Sequence, residues 1–148
     1  MAVSTDFQKL RSCLNVTQYD FDPGATTATE IAWVDMQESS GILAGFFRTI
    51  GTGATTLSLV ANSASDGSGT DVTVKTKVLT AAEPNAVGDT TWIEATGDEI
   101  AEAAGAAGVE VRYITAVVSV ATGTDEGVVT YIRKGKHKKL DLTADVIA

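Results

Sequence analysis

Apolar and polar side chains alternate along residues 71–78 of this chain. One parity holds Val72, Val74, Thr76 and Val78, and the other holds Asp71, Thr73, Lys75 and Lys77. Successive side chains of a β-strand point to opposite faces, so this pattern predicts a strand with one dry and one wet face.

Similar short segments recur between turns rich in Gly, Ser and Thr. The predicted strands cover residues 16–22, 30–37, 42–50, 55–61, 71–79, 90–95, 109–120 and 128–133. About eight short strands with regularly spaced turns predict an all-β protein, folded as an antiparallel sandwich or barrel.

The inner strands of this sandwich are predicted from the richest apolar segments. These are Ile42–Ile50, Leu57–Ala61, Val72–Val78, Val109–Val120 and Val128–Ile132. The adjacent Phe46 and Phe47 indicate a strand that is covered on both faces. Along residues 109–120 the apolar residues occupy odd positions up to Tyr113 and even positions from Ile114 onward. This change predicts a bulge there, or burial of both faces beyond it.

One short helix is predicted near Asp98–Ala104. Thr96 and Glu99 have the spacing of a capping box, in which each side chain satisfies a free backbone N–H at the start of a helix. Gly105 and Gly108 are expected to end it. Residues 1–15 fit either a short helix or an arm that packs on a neighbour, and residues 140–147 fit either a further strand or a tail.

The composition indicates a single domain and an anionic surface. The chain has 148 residues and a net charge of −8, which disfavours binding to nucleic acid and to anionic membranes. Its one cysteine, Cys13, excludes an intramolecular disulfide and is expected to be buried. The sequence has neither an apolar run of ~18 residues nor the pattern of a secretory signal, so we expect a protein assembled in a cytoplasm and not in a membrane.

Residues suited to catalysis or to metal binding do not form a recognisable set. His137 lies between lysines, where neither a zinc site nor a triad is favoured. The segment Asp66–Asp71 resembles a calcium loop but lacks the EF-hand spacing, so it is predicted to be a hairpin tip. The sequence thus predicts no enzyme activity, no cofactor and no metal. Trp33 and Trp92 are expected in the core, although either could stack on a sugar if it were exposed.

Basic residues are concentrated near the end of the chain. The cluster consists of Arg133, Lys134, Lys136, Lys138 and Lys139, among only eleven Lys and Arg in total. It fits a solvated loop, or a contact with an acidic surface such as that of a neighbouring copy. We predict a protein interface here, because Tyr131 is the only aromatic residue nearby and the acidic body of the chain would oppose nucleic acid.

Residues 31–133 resemble small structural proteins of tailed-bacteriophage virions. The resemblance lies in the strand Thr56-Leu57-Ser58-Leu59-Val60, the hairpin Ser65-Asp66-Gly67, Trp92, and a closing pair of strands. That pair is Val111-Arg112-Tyr113-Ile114-Thr115-Ala116-Val117-Val118 and Gly127-Val128-Val129-Thr130-Tyr131.

The resemblance implies a jelly-roll-like sandwich that serves as a capsid cement or decoration protein in the virion. Its partners would be the major capsid protein and other copies of itself. Residues 1–30 would form an arm and first strand, residues 31–133 the sandwich body, and residues 134–148 a basic tail. A neck or tail component of a phage remains an alternative, as does a carbohydrate-binding module of the same fold.

Overall fold

The computed structural model describes residues 14–21, 29–79 and 86–135. The strands are β1 (Leu14–Phe21), β2 (Thr29–Glu30), β3 (Val34–Asp35), β4 (Ser39–Ile50), β5 (Thr55–Asn62), β6 (Val72–Leu79), β7 (Thr90–Thr96), β8 (Tyr113–Val120) and β9 (Glu126–Gly135). One helix, α1 (Gly97–Ala107), lies between β7 and β8. Cys13, His137 and the predicted elements within residues 1–13 and 140–147 lie outside the described residues.

The strands form two antiparallel sheets. Sheet A has the order β1-β9-β4-β7, and sheet B has the order β2-β8-β5-β6 with β3 also paired to β8. Because β2 and β3 pair with successive parts of β8, they are two pieces of one edge strand. Early strands pair with late ones in nested order: β1 with β9, β2 and β3 with β8, β4 with β7, and β5 with β6. This is the strand order of a jelly roll. The predicted antiparallel sandwich is therefore confirmed, with one short helix among the described residues.

The core lies between the two sheets and is built from the inward-facing side chains of both. Sheet A contributes Phe21, Ile42, Ala44, Phe46, Ile93, Ala95, Val129 and Tyr131, and sheet B contributes Leu57, Leu59, Ala61, Ile114, Ala116, Val118 and Val120. Phe21 and Phe46 meet edge to face.

Tyr131 makes a polar contact from one sheet to the other. Its hydroxyl accepts a hydrogen bond of 2.7 Å from the backbone N–H of Ala116 in β8. Ala116 lies opposite the break between β2 and β3, so its N–H is not satisfied by a strand neighbour there. Burial raises the pKa of the Tyr131 hydroxyl.

A buried ion pair joins the two loops at one end of the sandwich. Arg48 in β4 contacts the Asp125 carboxylate at 2.9 Å, and the two side chains are only 2% and 1% exposed. Arg48 also donates to the carbonyl of Gly53 and to the Thr55 hydroxyl, while Thr122 donates to Asp125. The pair thus connects β4, β5 and the loop before β9. Nothing in the local sequence around either residue predicts this pair.

Helix α1 begins where the sequence predicts. Thr96 is its N-cap, and the reciprocal bonds between Thr96 and Glu99 form the capping box. The backbone N–H of Thr96 and then Lys75 lower the pKa of Glu99. Gly108 is the C-cap with φ of 68°, a left-handed conformation that favours glycine, whereas Gly105 lies within the helix.

The predicted dry face of residues 71–78 is wrong in its second half. Opposite Leu59 and Val60, β6 contains one extra residue, Val74. Beyond it, the residues that were expected to face the core face outward, and those expected to face outward lie on the core side. Lys75 and Lys77 therefore lie opposite the buried Leu59 and Leu57, and they reach out to Glu99 and to the carbonyl of Trp92. Val78 is instead 61% exposed. In addition, β6 is an edge strand, so the prediction of an inner strand there is wrong too.

Two other predicted strands are shorter than expected. Residues 30–37 are split into β2 and β3, and residues 109–112 precede β8 without belonging to it. The change of apolar phase near Tyr113 and Ile114 thus coincides with the start of the strand. Beyond it, Ile114, Ala116 and Val118 face the core, and Thr115 is buried as well.

Replacing Arg48 by Met is expected to lower the free energy of unfolding by about 3–5 kcal/mol, because Asp125 would keep a buried charge without its cationic partner. The double variant Arg48→Met/Asp125→Asn should recover a large part of that loss. Urea denaturation followed by circular dichroism measures both values. A double variant less stable than Arg48→Met would show that the charge of Asp125 is not the source of the loss.

Candidate interaction surface

The outward side of sheet A carries several large apolar side chains. We call it the outer face and define it by the residues whose parity is opposite to that of the core residues, together with Ile50, which a register shift after Arg48 pairs with Glu126. These are Leu14, Val16, Gln18 and Asp20 in β1; Glu126, Val128, Thr130, Ile132 and Lys134 in β9; Gly41, Leu43, Gly45, Phe47 and Ile50 in β4; and Thr90, Trp92, Glu94 and Thr96 in β7. All of these residues except Gly45, which lies beneath the Trp92 ring, are exposed or partly exposed.

Large apolar side chains on the outer face remain open to solvent. Val16, Phe47, Ile50 and Trp92 all count among the exposed large hydrophobic residues of the described chain. Soluble proteins rarely expose contiguous apolar patches, and such patches commonly mark interaction sites. The prediction that β4 is covered on both faces is wrong within the described residues, because Phe47 is 39% exposed. Phe46 enters the core, and Phe47 lies on the outer face.

Trp92 lies on the outer face and not in the core. It is 42% exposed, so the prediction of core packing is wrong for this residue. The ring lies over Gly45, its register partner in β4, and a Cβ at Gly45 would overlap it. The absence of a side chain at position 45 therefore lets the indole lie against the sheet. Trp33 is half-buried near Gly67, and its indole N–H donates to Glu30.

The outward side of sheet B has a different chemistry. Its positions include Thr56 and Ser58 in β5, Thr76 in β6, and Thr115 and Ser119 in β8. Ser58 and Thr76 share a hydrogen bond of 3.0 Å across the two strands. The same side of sheet B also carries Val60, Val78 and Val117, and Thr115 is buried there. Sheet B thus combines hydroxyl groups with valines, whereas sheet A carries the exposed rings of Phe47 and Trp92.

The structure describes only part of the predicted basic interface. Arg133 points inward and donates to the backbone carbonyl of Asp35 at 2.7 Å, so it has a structural contact within the chain. Lys134 is exposed at one end of the outer face. The remaining members, Lys136, Lys138 and Lys139, lie outside the described residues. Arg133 and Lys134 are adjacent in sequence, but their side chains point to opposite faces of sheet A, and only Lys134 is on the outer face.

A groove of about 980 Å³ lies beside α1. Its lining includes the apolar Met36, Ile100 and Val111, with Glu110 and Arg112 among the polar residues. The Arg112 guanidinium contacts the Asp35 carboxylate at 2.6 Å, and these hydrogen bonds lower the pKa of Asp35. Both side chains are exposed, so the pair contributes little to stability.

The Asp66–Asp71 loop has a structural role that the sequence did not reveal. Asn62 is completely buried beneath it and donates to the Gly67 carbonyl and to Asp71, while it accepts from the N–H groups of Ala64 and Gly69. The loop connects β5 with β6 as the predicted hairpin tip. Within the described residues, no group of three or more His, Cys, Asp or Glu is placed to hold a metal ion.

No family model matches this chain, and no curated protein matches it. Three solved structures share its general architecture. A Bacillus endospore appendage protein, of a family that forms disulfide-linked pili, has a TM-score of 0.48 and 19% identity over 82% of this chain and 86% of its own. The SPBc2 prophage-derived protein YomS has a TM-score of 0.42 and 10% identity over 82% of this chain and 95% of its own. A chain of the T13 IBDV viral particle has a TM-score of 0.43 and 11% identity over 84% of this chain and 32% of its own.

Each of the three TM-scores lies below 0.5, so the jelly-roll order described above rests on the strand pairing of this chain and not on these similarities. The described part of the chain contains no helix that is both long and apolar enough to cross a membrane.

The contact between Trp92 and Gly45 generates a prediction about the outer face. The variant Gly45→Ala should displace the indole into solvent and leave the core intact, because the added Cβ lies on the outward side of sheet A. We expect a red shift of tryptophan emission and stronger quenching by acrylamide. Gly105→Ala is the matched control, since a Cβ at Gly105 meets nothing within 4 Å. An unchanged emission spectrum in Gly45→Ala would contradict the described position of Trp92.

Proposed function

We propose that this protein is a structural subunit of a virion, which acts as a capsid cement or decoration protein through repeated contacts between proteins. The observation that carries the proposal is the exposed apolar outer face of sheet A. A chain with a net charge of −8 repels its own copies at long range, so an apolar face and a local basic group favour contact only in specific orientations.

The proposed mechanism requires no turnover of a substrate. Two buried sets of polar contacts hold loops of the fold together. One is the ion pair of Arg48 with Asp125, and the other consists of the hydrogen bonds around Asn62. They are buried beneath those loops and do not meet in the groove beside α1. The phage-like pattern of residues 31–133 supports a position on the head, with the neck or tail as the alternative location.

The outer face can be tested with purified particles. Leu43→Thr and Phe47→Thr should each lower the occupancy of the protein on the shell, because both remove apolar area from the face. We expect the urea midpoint to change little, since neither side chain belongs to the core. Occupancy is measured by sedimentation of particles with bound protein.

Val78→Thr is the matched control for these variants, because it removes the same kind of exposed apolar group from sheet B. It should leave occupancy unchanged. Equal occupancy for all three variants and the parent chain, or no binding to heads, necks or tails at all, would reject the proposal.

The exposed Trp92 supports a second candidate, a carbohydrate-binding module. An indole that lies flat on a sheet is a suitable platform for the apolar face of a sugar ring. Affinity electrophoresis against a panel of polysaccharides tests this function. It predicts a retardation that Trp92→Ala abolishes and that Leu43→Thr preserves. A lack of retardation by every polysaccharide rejects it.

A further inference from the structure

The charges on the outer face are polarised along β9. The outward positions of this strand are, in order, Glu126, Val128, Thr130, Ile132 and Lys134. Asp20, whose register partner is Val128, adds a negative charge at the acidic end, while Glu94 in β7 lies in the row of Leu43 and Ile132, nearer the basic end. Apolar side chains occupy the positions between the two charged ends, with Thr130 in the middle.

These five outward residues of β9 can pair with the same five residues of a second copy if the two strands run in opposite directions. If a second copy lies antiparallel across β9, Glu126 meets Lys134 at both ends, Val128 meets Ile132, and Thr130 meets itself. Such a pattern is what a two-fold interface requires, because each contact then occurs twice. The two-fold axis would run across the strands through the row of Thr130.

The strands β4 and β7 fit the same axis, whereas in β1 the axis relates Val16 to Asp20. In β4 the row opposite Thr130 is Gly45, and the pairs related by the axis are Leu43 with Phe47 and Gly41 with Ile50. A large side chain therefore faces a glycine at the end of the strand. In β7 the residue on the axis row is Trp92, so the indoles of the two copies approach each other at the same edge.

We infer that the outer face binds the outer face of a second copy of this chain, face to face and with the strands of β9 antiparallel. This inference rests on the proposed role of the outer face as a contact surface, and it names the occupant. Packed sheets lie about 10 Å apart and cross at about 30°, so Lys134 can reach either Glu126 or Asp20 of the other copy.

The size of the face predicts a weak pair. Four strands about 4.8 Å apart and five outward positions about 6.8 Å apart give a footprint of roughly 500 Å² per copy. The total of about 1,000 Å² is the lower limit for a specific interface. We therefore expect a reversible dimer with a dissociation constant of about 1–100 µM, which is strengthened where many copies are held on one shell.

A charge exchange tests the orientation. Sedimentation velocity over a concentration series at low salt should show that Lys134→Glu and Glu126→Lys each weaken the dimer about tenfold or more, since like charges would meet. The double variant Lys134→Glu/Glu126→Lys should return to within about threefold of the parent chain. Glu102→Lys on the exposed side of α1 makes the same change elsewhere, and it should leave the dimer unchanged.

A cross-link tests the position of the axis. In a Cys13→Ser background, Thr130→Cys should be linked into dimers by a short bismaleimide, because the two sulfurs lie within about 10 Å across the axis. Ser58→Cys on the outward side of sheet B should not be linked. A chain that stays monomeric up to millimolar concentration, or a charge exchange without recovery, would overturn the inference.

The two proposals can fail separately. If Leu43→Thr and Phe47→Thr lower occupancy on particles but the charge exchange does not restore a dimer, the face binds the shell directly and the two-fold contact is wrong. If the dimer forms and recovers as described but binds no particle, the two-fold contact holds and the virion role is rejected.

Discussion

The pairing of β4 with β9 at the centre of sheet A is the constraint on which the rest of the structure depends. It joins residues 39–50 to residues 126–135 and so requires the chain between them to fold back as nested pairs. Every residue of these strands faces either the core or the outer face. The same register therefore sets which side chains are buried and which remain available for contact.

That register is not specified by hydrophobicity alone, because both sides of these strands are apolar. A slip of one residue would exchange Phe46 with Phe47 and Tyr131 with Ile132, at a modest loss of apolar burial. Polar and small residues supply the missing specificity. Asp125 must meet Arg48, and a side chain at Gly127 would overlap Phe46. A buried ion pair is weak evidence for stability, and here we assign it to register.

The sequence predicted those features whose signal is local. The capping box of α1 lies within four residues, and the hairpin loop before β6 is marked by glycines and polar residues. It failed where a distant partner decides the outcome. The parity of Lys75 depends on the pairing of β6 with β5, in which Val74 is an extra residue. The exposure of Trp92 depends on the register of β7 with β4, which places Ile93 and Ala95 in the core and Trp92 on the outer face. Arg48 and Asp125 are 77 positions apart, and nothing local marks either one for burial. The sequence did indicate apolar groups on both sides of β4, through neighbouring pairs such as Phe46 and Phe47. It did not indicate that Phe47 would remain exposed in the described chain.

The two kinds of polar group in this protein have separate tasks. Buried groups such as Arg48 and Tyr131 hold strands in place, because a polar atom without a partner is costly inside the sandwich. Exposed charges at the ends of the outer face contribute little affinity each, since water and salt screen them. They can instead select one orientation among several that would bury the same apolar area. An assembly made of many weak contacts needs that selection, because avidity strengthens a wrong contact as readily as a right one when both repeat over a shell.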